Sequence, residues 1–128
     1  MGFDDAVKLG FSNYVNFSGR ASRSEYWYWV LFVVIGQLVS GVIDSWIVGA
    51  YLLEGIFFLA TILPTLSVGV RRLHDLDRSG WWVLLDLIPV VGWIILLIWF
   101  CIKGTDGPNR FGADRLAELG QISLRPAQ

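Results

Sequence analysis

The chain has 128 residues, of which 55% are hydrophobic and 16% charged, with a formal net charge of -1 at pH 7. Soluble domains of this size carry nearer to about a quarter charged residues. The charges here are confined to three stretches, before Tyr26, between Arg71 and Arg78 and after Ile102, with only Asp44, Glu54 and Asp86 outside them. Such segregation is imposed by a lipid solvent, and it excludes a soluble globular fold.

Residues 1–22 open the chain with Phe3, Val7, Phe11, Tyr14 and Val15 near one face at steps of three to four. That spacing predicts a short amphipathic helix in the membrane interface, weakened by Gly10. No cleaved signal peptide is expected, because the first apolar run begins only at Tyr26 and lacks a small-residue cleavage site. Ser22 followed by Glu25 has the spacing of a capping box, which starts the first span, 23–43, at Arg23. Tyr26, Trp27, Tyr28 and Trp29 form an aromatic belt at headgroup depth, and Gln37 is the only strongly polar interruption below it.

A second span follows over 46–70, with Glu54 splitting off its first turns. Residues 71–80 form a polar elbow, "RRLHDLDRSG". If the helix continues past Val70, Arg71, His74, Asp75 and Arg78 share a face and Arg72 pairs with Asp75 at i+3. Asp77 or Ser79 caps what comes next. The third apolar segment, 81–102, is broken by Asp86, Pro89 and Gly92. In the tail, 103–128, the stretch "GTDGPNRFG" has turn composition. Ala113 to Leu119 predicts one or two helical turns, with disorder expected from Gly120. The fold class is therefore all-α: a polytopic membrane protein with three apolar helical segments and an interfacial amino-terminal helix, in one domain.

Topology follows from the basic residues. Lys8, Arg20 and Arg23 precede the first span, none lies between Asp44 and Glu54, and Arg71, Arg72 and Arg78 occupy the elbow. The positive-inside rule places the amino end and the elbow in the cytoplasm. Four more, Lys103, Arg110, Arg115 and Arg125, follow the third segment. Their charge favours a hairpin at Pro89 that returns the chain to the cytoplasm. Length favours a kinked third crossing of about 33 Å, because each arm alone is too short to span. The kinked crossing is slightly preferred.

"FSGRASRSEYW", "RRLHDLDRSGWW", "IPVVGW" and "GTDGPNRFG", in that order, resemble the domain-of-unknown-function 805 family of bacterial inner-membrane proteins, over Tyr14 to Asp114. The resemblance implies a small multi-pass protein of the bacterial inner membrane with no established molecular role. Asp86 departs from the family pattern, which is apolar there.

Three function classes are compatible with these residues. The first is a non-enzymatic protein binding lipid headgroups, anionic ones included, or a membrane-protein partner or second copy. It would use a cytoplasmic rim of Arg20, Arg23, Glu25, Arg71, Arg72, His74, Asp75, Arg78, Asn109 and Arg110. The second is a small transporter or channel using Glu54, Asp86 and Gln37. The third is a headgroup-level enzyme using His74 and Asp75 for acid–base chemistry. A structural salt-bridge cluster accounts equally for the His74–Asp75 pair and is preferred over the enzyme. One cysteine and one histidine supply no metal-binding spacing, and no cofactor or nucleic-acid motif is present.

Overall fold

Five helices, α1 (Phe3–Ser12), α2 (Arg23–Ile43), α3 (Leu52–Asp75), α4 (Val91–Cys101) and α5 (Arg115–Leu124), run without a strand among the residues described, 2–48 and 51–124 of a computed structural model. This is the expected all-α class. α2 and α3 are long and apolar enough to cross a membrane. Their 21 and 24 residues rise about 31 and 36 Å, enough for a hydrocarbon core of about 30 Å. Ser22 caps α2 by accepting from the Glu25 N–H at 3.3 Å. The expected reciprocal half of that box gives way to another use of Glu25, described below.

The distribution of polarity is inverted relative to a soluble protein. Leu38, Val39, Leu59, Leu63, Ile94 and Leu97 are exposed, whereas Arg20, Glu25, Arg71, Arg72, His74 and Asp75 are buried. Lipid can cover the first set at no cost. A π-helical turn, Asp44–Val48, leaves α2 and takes in the first residues expected of the second span. The buried Asp44 carboxylate accepts from the N–H groups of Leu53 and Glu54, at 3.0 and 2.9 Å. It thereby satisfies free donors at the start of α3.

α3 continues through the elbow to Asp75, as the i, i+3, i+4 pattern predicts. It ends in a Schellman motif: Arg78 N–H donates to Leu73 O and Asp77 N–H to His74 O, both at 2.9 Å. Asp77 takes the left-handed position at φ 58°, which aspartate tolerates.

The third apolar segment is where the structure corrects the preferred expectation. It is a hairpin, not a kinked crossing. A 3-10 helix, Gly80–Leu87, capped by Ser79, runs in, and α4 runs back. Their 8 and 11 residues each rise about 16 Å, half of a bilayer core. Pro89 and Val90 make the tip, where Val91 N–H donates to Pro89 O at 2.8 Å in a γ-turn. Val90 sits at φ 67°, a left-handed conformation that strains a β-branched residue by about 1–3 kcal/mol. Leu73 of α3 packs with Leu96 and Phe100 of α4 and with Val83 and Leu85 of the 3-10 helix, which supplies the protein cover a re-entrant segment needs.

α1 forms where the amphipathic spacing places it, but it faces inward through Ala6 and Gly10, not through its phenylalanines. Phe3 and Phe11 flank that ridge and pack edge-on against Tyr28 and Trp29. A Cβ at Gly10 would lie 2.2 Å from the fully buried Trp29 ring, whose Nε1 is tied to Thr65 Oγ1 at 3.0 Å. Gly10→Ala is therefore expected to lower thermal stability in detergent. The overpacking cost of about 1–3 kcal/mol exceeds the helix-propensity gain of roughly 1 kcal/mol. Gly55→Ala, at a position with nothing within 4 Å, should show only the gain.

Candidate functional site

Three of the four motifs, "FSGRASRSEYW", "RRLHDLDRSGWW" and "GTDGPNRFG", meet at one end of the helices although distant in sequence. Arg20 is the organising residue. Its Nε donates to Asp75 Oδ1 at 2.9 Å, and its two terminal nitrogens donate to Thr105 O at 2.6 Å, Gly107 O at 2.7 Å and Ala113 O at 3.0 Å. The guanidinium therefore holds the "GTDGPNRFG" loop by its carbonyls. Five donors in a rigid fork suit this task, and a lysine ammonium does not.

Arg72, fully buried, completes the other side of Asp75 through Nη1 to Oδ2 at 2.7 Å, the i+3 pair expected from the sequence. Its remaining donors reach Ile102 O and Phe100 O at the end of α4. Thr105 N–H donates to Asp75 O at 2.7 Å, and a Cβ on Gly104 would meet Asp75 Oδ2 at 1.9 Å. Only glycine passes there. Asp75 thus receives two arginines with its carboxylate and the returning chain with its backbone.

A second cluster adjoins the first. Glu25 lies between Arg71, at 3.6 Å, and Arg115 of α5, whose Nε donates to Glu25 Oε1. α5 runs to Leu124, past Gly120, where disorder is expected from composition; residues 125–128, with Arg125, lie outside those described. Arg115 was missed by the sequence reading. No local signal marks one tail arginine as the partner of a glutamate 90 positions earlier. At the rim, Asn109 Nδ2 donates to His74 O at 2.9 Å, and Arg110 pairs with Asp77 at 3.3 Å. The Asp114 carboxyl is held below its ordinary range chiefly by the Gly107 N–H, which donates to it at 2.8 Å. Asp106 holds the Lys103 ammonium above its ordinary range.

The residues proposed as a cationic rim therefore divide. Arg20, Arg71 and Arg72 are buried against protein partners, whereas Arg23 and Arg110 are exposed and Arg78 is half-buried over Trp99. Among the described residues Arg23 makes one hydrogen bond, a donation to Cys101 O at 3.3 Å. It stands at the polar mouth of an open groove of about 570 Å3 lined by Ser24, Trp27, Tyr28 and Leu31. His74 and Asp75 do not form an acid–base dyad, since Asp75 is committed to Arg20 and Arg72 and His74 Nδ1 to Gly19 O at 2.8 Å. The structure does not bring Glu54 and Asp86 together. Glu54 is in the first turn of α3, about 30 Å along the helix from His74, whereas the exposed Asp86 belongs to the hairpin packed on the far end of α3.

Comparison with known proteins places this architecture. Residues 14–113 match the family model described as a protein of unknown function, DUF805. The chain is 49% identical over 106 residues to the inner membrane protein YhaI of Escherichia coli K12, covering 80% of this chain and 87% of that one. It is 46% identical over 107 residues to the inner membrane protein YhaH of the same strain, with 80% and 88% covered. A third relative, the uncharacterized protein YiiR, is 36% identical over 85 residues, 63% of this chain and 53% of that one. No solved structure matches.

Proposed function

The chain belongs to the DUF805 family of proteins of unknown function, and on that premise we propose an inner-membrane protein of two crossings and one re-entrant hairpin that holds anionic lipid at Arg23. Residence in the inner membrane is supported by the printed names of YhaI and YhaH and by the apolar exterior of α2, α3 and α4. Orientation is supported by charge. The hairpin returns Lys103, Arg110 and Arg115 to the end that carries Arg20, Arg23, Arg71, Arg72 and Arg78. The positive-inside rule then makes that end cytoplasmic.

The observation that carries lipid binding is the Arg23 groove. A phosphate at Arg23 would meet guanidinium donors not used by the protein, and an acyl chain would continue along Trp27 and Leu31. A non-enzymatic role is favoured by the commitment of Asp75, Arg72 and Arg20 to one another. Each basic residue near an anionic surface contributes about 1 kcal/mol, so Arg23→Gln should reduce retention of phosphatidylglycerol about fivefold. Native mass spectrometry of protein released from mixed phosphatidylglycerol and phosphatidylcholine nanodiscs measures this. Equal retention of the two lipids by the unaltered protein would refute the proposal.

A further inference from the structure

A cleft of about 480 Å3 separate from the Arg23 groove opens beside the elbow, between Phe17, Val70, Trp81, Val83 and Phe111, with His74, Ser79 and Gly80 among its lining residues. Its size is that of a small-molecule site. The imidazole is fixed on two sides. Phe111 stacks on it with ring centres 4.0 Å apart and planes 3° apart, and Nδ1 lies 2.8 Å from Gly19 O. A carbonyl only accepts, so Nδ1 carries the proton, and in the neutral ring Nε2 is a bare acceptor. Nε2 would be 3.5 Å from a Cβ at Gly80, so it faces the cleft, and among the described residues it has no hydrogen-bond partner. The residue that carries it is only 8% exposed.

We propose that this cleft binds a neutral amphiphile bearing a hydroxyl group, which donates to His74 Nε2 while its apolar body lies against Trp81, Phe17 and Val83. The required head is a donor, because the protein supplies an acceptor. A fully ionised head without hydroxyls brings no proton to a bare nitrogen, and an ammonium head is opposed by Arg110, whose guanidinium sits 4.8 Å from the Phe111 ring centre. Ser79 is a second polar group at the rim; its Oγ accepts from Trp81 N–H at 3.3 Å and retains its own proton to donate to the ligand oxygen. Trp81 is 78% exposed, so it forms a wall that can be altered without touching the polar core.

His74 is the chain's single histidine, which makes the test direct. Protein labelled with nitrogen-15 histidine, in detergent micelles at about pH 9, where a phosphate monoester is fully ionised, is titrated with dioctanoylglycerol, with its hydroxyl-methylated ether and with dioctanoyl phosphatidic acid. The expected result is a protonated Nδ1 and an unprotonated Nε2 whose resonance moves saturably toward that of a hydrogen-bonded nitrogen with dioctanoylglycerol alone. Trp81→Ala should weaken that titration about tenfold through loss of one aromatic wall, while Arg23→Gln leaves it unchanged. A protonated Nε2 in the free protein, the same shift with the ether, a stronger response to phosphatidic acid or no saturable shift would each overturn the proposal.

Discussion

Asp75→Ala is expected to prevent accumulation of folded protein, or to lower its midpoint of thermal unfolding in detergent more than any other single charge removal. The substitution leaves Arg20 and Arg72 buried without their shared carboxylate. Breaking a buried pair by removing one partner costs about 3–5 kcal/mol, a large share of a typical total stability of about 5–15 kcal/mol. Asp75→Asn should fall in the same direction, because one amide nitrogen would then point its protons at an arginine. Glu118→Ala is the control. Its pairing with Arg115 spans 3.9 Å with the glutamate side chain 47% exposed, and exposed pairs contribute about 0–1 kcal/mol. Fluorescence-detected size-exclusion chromatography after a heat challenge ranks the three variants. Equal midpoints for Asp75→Ala and Glu118→Ala would show that the cluster does not hold the fold.

Arg20→Lys tests the second joint, the attachment of the tail. Charge is retained, but one ammonium cannot reach Asp75, Thr105, Gly107 and Ala113 from one position. Charge-assisted hydrogen bonds contribute about 1.5–3 kcal/mol each, so losing one or two frees the loop without unfolding α2 or α3. Trypsin should then cut after Arg110, which is already exposed, at least about tenfold faster than in the unaltered protein. Membrane vesicles with the cytoplasmic face outward are the substrate, and the rate of appearance of the released tail is the readout. An unchanged rate would mean that the loop is held by other contacts.

Much of this architecture was legible from the sequence, and what was not has physical reasons. Helix starts and stops were written locally: Ser22 begins α2, Arg72 and Asp75 lie one turn apart, and Ser79 caps the 3-10 helix. The hairpin was harder, because Pro89 and Gly92 are equally at home in a kinked helix. What decides against a crossing is a set of contacts 30 or more residues apart, between Arg72 and Ile102 and between Arg20 and Thr105. The sequence also pointed to one cationic surface, whereas the structure buries Arg20, Arg71 and Arg72 and leaves Arg23 and Arg110 exposed. Composition records that arginines cluster near Asp75 but not that backbone carbonyls of the tail surround them. Gly104 carried a usable signal, as the one residue without a side chain at the point where the returning backbone crosses Asp75.

The central claim is that the third apolar segment returns to the side it left, so that the three charged motifs form one polar end with "IPVVGW" at the hairpin tip. Single cysteines at Ser18, Ser45 and Asp106, each exposed, report on it in a Cys101→Ala background. Intact cells are treated with a membrane-impermeant maleimide, before and after permeabilisation. The structure, together with the cytoplasmic orientation proposed for its cationic end, predicts labelling at Ser45 in intact cells and protection at both Ser18 and Asp106 until the membrane is opened. Labelling at Asp106 together with protection at Ser18 would establish a third crossing and contradict the account.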